Sequence, residues 1–322
     1  MQRLTPTVPV RLRRRLAGEH GAAAVVLALL MVPLIGFTAL AVDIGSVYAQ
    51  RARLQIAADA AALAVAGDCA RGACGDMQAT ASALVAANAS GATAGQPTLS
   101  TAPLSVTVAG DRPTTHWFAP VLGIDSTDVR ATSTVAWGTP GAGTAVLPLV
   151  FSYCEWLAQT GGGMPSGSNP TVISLPKKSD TSGCTGPSHM FVPGGFGWLV
   201  PDPGTCAATS AIGGKVTSDP GNSPPQGCSS ANFTAWQGKT VLLPLFDTSG
   251  GTGSSAWYHV YGYAAFRITG YYFAGQYSVN APCGGDDRCI SGYFVRFVDA
   301  SDRFTYTNTG PDLGADILRL VR

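Results

Sequence analysis

Gly21 to Val42, GAAAVVLALLMVPLIGFTALAV, is a run of 22 residues without a charge. At 1.5 Å rise per residue a helix of this length reaches roughly 30 Å, the thickness of a bilayer's hydrocarbon layer. The run passes without a break signal into Asp43–Gly67, which is Ala-rich and amphipathic. A chain built this way is expected to cross a membrane and leave it as one continuous helix, from about Glu19 to Ala66 and roughly 70 Å long. Pro33 lies mid-span, removes one backbone donor and is expected to kink the helix. Arg3, Arg11, Arg13, Arg14 and Arg15 precede the span, against one acid, Glu19. Basic flanks stay cytoplasmic, so the expectation is a single-pass protein of the cell membrane with residues 43–322 exported. The rival is a cleaved leader, because Ala39-Leu40-Ala41 fits a small-x-small cleavage site. The apolar run exceeds a signal core, and helical patterning continues through that site.

Beyond the span, Leu40, Ile44, Val47, Leu54, Ala58, Ala61 and Val65 recur at three- and four-residue steps. They form the expected packing seam of the helix. Ala58→Glu is expected to break this seam, and Ala57→Glu, one step round, to be milder. Gln55 and Asp59 are four apart and within reach of each other.

Asp43-Ile-Gly, Arg51, the run LQIAADAAALA from Leu54 and the stop at Gly67 resemble the N-terminal signature of TadE/TadG-like proteins of bacterial Flp (Tad) pilus assembly. Many pilin-like members of that family carry a glutamate near the start of the apolar run, used in subunit alignment and prepilin processing, whereas here Glu19 precedes the run. The resemblance implies a helix packed on a small sheet, no cofactor, and two partners: the lipid bilayer and other Tad pilus or secretion subunits. The segments 195–199, 202–206 and 219–222 resemble the C-terminal region of actinobacterial-type TadG-like proteins.

Eight cysteines, Cys69, Cys74, Cys154, Cys184, Cys206, Cys228, Cys283 and Cys289, all follow the span. An even count on the exported side argues for disulfides, and neighbour pairing is the simplest of 105 connectivities. A metal site is not expected: there is no C-x-x-C, and no His stands at zinc spacing from a Cys pair. Asp286-Asp287 reads as a solvated turn rather than a calcium site. Asp180-Thr-Ser182 and Asp247-Thr-Ser249 begin the D-x-S-x-S motif of a von Willebrand-type domain without completing it.

The expected fold is α+β. Residues 1–20 form a basic cytoplasmic tail, 21–42 the span, 43–138 a pilin-like α+β unit and 144–322 a Cys-rich antiparallel β domain. Asp76 to Ala87 reads as a helix capped by Asp76. Residues 88–103 read as a flexible link, and 104–109 and 128–137 as half-buried strands. Thr115 to Gly123 reads as a short helix broken near Pro120. TPGAG, 139–143, reads as a domain boundary. Apolar β runs follow at 145–151, 171–175, 240–246, 257–273 and 293–298, with 257–273 the central strand. Residues 312–321 read as helix or closing strand. Tyr271-Tyr272-Phe273 is the candidate exposed contact patch.

Charged residues are 12 % of the chain and the net charge is +1, which leaves no basic field for nucleic acid. His20, His116, His189 and His259 are the only histidines, and neither G-x-S-x-G nor H-E-x-x-H occurs, so an enzyme is not expected. The functional expectation is an anchored structural component of pilus assembly. The alternatives are a surface-tethered binding or adhesion protein and a secreted enzyme with a cleaved leader.

Overall fold

The computed structural model describes residues 20–176 and 182–321. The arginine-rich tail and the Asp180 end of the first D-x-S segment lie outside the described residues. Helix α1 (His20–Ala70) runs continuously through Pro33 and is roughly 75 Å long. It passes Gly67, the expected stop, because the turn that ends it comes at Arg71 and Gly72, where Gly72 has φ +90°. Helix α2 (Met77–Asn88) starts where Asp76 accepts a hydrogen bond from the Ala79 N–H at 2.9 Å. The segment expected to be a flexible link instead holds strands β1 (Thr93–Ala94) and β2 (Thr98–Thr101). Both pair with β3 (Leu104–Thr115), whose edge would otherwise be open.

β3 and β4 (Ser126–Ala145) form a long antiparallel hairpin, in register from Ser105↔Ala136 to Thr115↔Ser126. Val129, Ala131, Ser133, Val135 and Trp137 alternate inward along β4. Val106 and Val108 do the same on β3. This face packs against Leu54, Ala61, Ala62 and Val65 of α1 and Ala81 and Val85 of α2.

The expected boundary at 139–143 falls inside β4, which runs on to Ala145. The glycines there are a packing device. A Cβ on Gly138 would sit 2.6 Å from the Thr307 carbonyl oxygen, and one on Gly143 2.4 Å from that of Arg303. They let the strand Phe304–Thr307 pass close along β4. The strand Ala315–Val321 then returns to the first sheet, pairing antiparallel with β4 from Ile317↔Gly138 to Val321↔Thr134. Residues 312–321 therefore close as a strand, and the chain's end completes the sheet that its beginning starts. Ala315 and Ile317 face the second core while Leu318 faces the helices, as alternation requires.

The second sheet has the order Thr171–Ser174, Cys289–Val295, Trp257–Tyr272, Thr240–Gly250, Leu149–Ser152 and Phe196–Trp198. Trp257–Tyr272 is central, as its two apolar faces require. The sheets are not purely antiparallel. Leu149–Ser152 runs parallel to Thr240–Gly250, and Phe297–Asp299 parallel to Ala315–Val321. The core is aromatic, with edge-on contacts such as Phe151–Phe266 and Trp198–Phe273, both with ring centroids 4.9 Å apart. All four neighbour disulfides form: 69–74, 154–184, 206–228 and 283–289.

Candidate functional site: the membrane-facing helix and its seat

The two halves of α1 have opposite environments. No residue in its most apolar 18-residue window is buried. Leu29 is 69 % and Phe37 71 % exposed. A core helix of the same composition would be covered, so the length and bareness together mark a candidate membrane span. From Leu54 onward the helix is seated in the protein. Leu54, Ala57, Ala58, Ala61, Ala62, Val65 and Ala66 are fully buried between the first sheet and α2. Alanine on both flanks of the seam lets the sheet and α2 approach together.

The expected seam is thus divided. Leu54, Ala58, Ala61 and Val65 are buried, Val47 is partly covered, and Leu40 and Ile44 are exposed on the membrane side of Asp43 and just beyond it. The stripe of Ala57, Ala62 and Ala66 widens the buried face, so Ala57 does not sit on a milder side. Polar ties fix the register of helix on sheet. Gln55 donates to Asp59 at 2.8 Å and to the Thr132 carbonyl at 3.1 Å. Arg112 of β3 donates to Gln50 at 2.9 Å.

At the junction of the two halves stands Asp43, 3 % exposed. Its carboxylate accepts the backbone N–H groups of Trp117 at 2.8 Å, Phe118 at 3.0 Å and Ala119 at 2.7 Å. Desolvation raises this carboxyl's pKa, but the three N–H donors outweigh it and hold it below the ordinary value. The donors belong to the tip of the β3–β4 hairpin, where Ala119–Leu122 forms a single 3₁₀ turn. Pro120 starts this turn instead of breaking a helix, since its missing N–H would be unpaired there in any case. The sequence signal was an Asp directly after the span; its distant partners 74 to 76 residues on carried none.

The other sequence-expected features fall elsewhere. Tyr271 and Phe273 are 1 % exposed and pack on Phe233, so they are core and not a contact patch. Tyr271 faces inward from the strand, and Phe273 continues past the strand's end into the core. Tyr272 alone reaches outward, under Arg288. His259 Nδ1 lies 2.6 Å from Asp247 Oδ1, which accounts for the Asp247 segment as a buried carboxylate pairing a sheet histidine. His116 bonds Thr127 across the hairpin at 2.8 Å.

No curated protein and no solved structure matches the chain. One family model does: residues 21–68, the span and the first part of the seated helix, match the Tad model for TadE/G-like Flp pilus-assembly proteins. The match covers the exposed half of α1, Asp43 and the alanine seam together, so this helix is similar to the TadE/G-like domain of Flp pilus assembly, and it is long and apolar enough to cross a membrane.

Proposed function

We propose that the chain is an anchored structural component of a Flp-type pilus or related secretion assembly, with residues 1–20 cytoplasmic and 43–322 exported. The observation that carries this reading is the division of α1. Its first half is bare and apolar, its second half is locked into a folded unit, and the Tad match covers both. Such a helix transmits position rigidly from bilayer to folded unit. The arginines before the span support the orientation, and four disulfides suit an oxidising compartment. The partners on this reading are the lipid bilayer and other assembly subunits, and the role is structural and not catalytic. In the producing cell, deletion of the gene is expected to abolish pili, and the wild-type chain to restore them. Normal pili in the deletion strain would leave the tethered binding protein as the better reading.

A further inference from the structure

We infer that the hairpin tip 117–124 is a second membrane element, inserted into the same bilayer beside α1. This rests on the reading of 21–42 as a span. The tip is WFAPVLGI, eight residues without a charge. Its side chains are bare: Trp117 is 79 %, Val121 90 % and Leu122 76 % exposed. Among the described residues, bare apolar residues elsewhere on the folded body stand singly or in pairs such as Met190 and Phe191; here Trp117, Phe118, Val121, Leu122 and Ile124 cluster, and they adjoin the span.

Depth follows from contact. Phe118, Val121 and Leu122 line one groove with Gly36, Ala39 and Leu40 of α1. If 21–42 crosses the hydrocarbon layer, residues 36–40 lie within it, and so does whatever touches them. Gly36 is seven residues before Asp43, so the tip reaches roughly 10 Å along the helix from its tether.

Irregular backbone enters lipid only if its polar groups are satisfied internally. The tip goes far toward that demand on the donor side. The N–H groups of 117, 118 and 119 go to Asp43. Those of His116, Val121, Gly123 and Ile124 go to the carbonyls of Asp125, Phe118, Pro120 and Ala119. Pro120 has none. A solvent-facing loop has no need of such closure. Trp117, at the base beside Asp43, is a residue type that favours the interface. The occupant of this apolar surface is therefore the lipid bilayer, on the side where the folded body sits.

The test uses the full chain in phosphatidylethanolamine/phosphatidylglycerol vesicles, with p-benzoylphenylalanine replacing Leu30, Val121 or, as a control on the body, Lys215. Each site is exposed, so folding is undisturbed, and retention of all four disulfides verifies it. The expected result is lipid adducts at positions 30 and 121 and none at 215. Adducts at 30 without any at 121, or a protein adduct at 121 in place of lipid, would overturn the inference and leave the anchor intact. No lipid adduct at either position would remove the anchor reading and the inference with it.

Discussion

Single residues decide where this molecule is tied and where it titrates. Asp43 joins helix and hairpin through three backbone donors, and Asp43→Ala is expected to free the tip. Hydrogen exchange should then show loss of amide protection at 117–119 with the rest of β3 and β4 unchanged; unaltered protection would contradict the tether. Asp316, half-buried, has its carboxyl pushed up to about 6, by desolvation first and by Asp312 second, with Arg296 opposing. The unfolded chain loses this proton near pH 4 and the folded chain near 6, so folding takes up a proton between them. Its contribution is full below about pH 4 and falls as pH rises through 6, by about 1–2 kcal/mol after solvent screening. Asp316→Asn should remove that slope from a plot of melting temperature against pH; parallel wild-type and variant profiles would contradict it. At Gly143, alanine would force the Arg303 carbonyl or the Phe304 ring to move, both within 2.4 Å of the added carbon. A loss of about 1–3 kcal/mol is expected in denaturant unfolding. These glycines show what sequence reading missed: TPGAG has the composition of a linker, and its purpose is visible only once the strand that crosses it, 160 residues later, is in place.

At the scale of elements, the helix was the most legible part. Its length, its uncharged half and its three-four stepping need only local periodicity, and so does the Asp76 cap of α2. The alternation of β3 and β4 was equally plain. Which helix face is covered by two partners was not, because periodicity marks a face without saying that α2 widens it. Ala57 and Ala58 are both fully buried. Glutamate at either position is expected to cost about 3–5 kcal/mol, since an unpaired carboxylate would be sealed between sheet and helices. Ile56, 62 % exposed, should accept glutamate within about 0.5 kcal/mol. Thermal unfolding of the three variants checks this; tolerance of Ala57→Glu would mean that α2 does not close over the seam.

The whole molecule is held by exchange between its ends. The strand Ala315–Val321 pairs with β4 beside the N-terminal unit, so residues 43–143 alone would leave that edge of β4 open and lose Leu318 from the core beside Trp137. Truncation before Ala315 is expected to destabilise the N-terminal unit as well as the second sheet. Long-range pairing of this kind leaves no trace in a local pattern, so 139–143 reads locally as a boundary although β4 runs through it. The cysteine pairs 69–74 and 283–289, by contrast, were legible, because neighbours 5 and 6 residues apart close short loops. The central proposal is that the bare half of α1 anchors the chain with the folded body after Asp43 on the far side of the membrane, only the hairpin tip reaching back into the bilayer. All four lysines, Lys177, Lys178, Lys215 and Lys239, lie after that point, and Lys215 is exposed. Spheroplasts of the producing cell treated with a membrane-impermeant amine reagent test it most directly, with Lys215 read by mass spectrometry. The account predicts labelling of Lys215 before lysis; labelling only after the inner membrane is broken would contradict it.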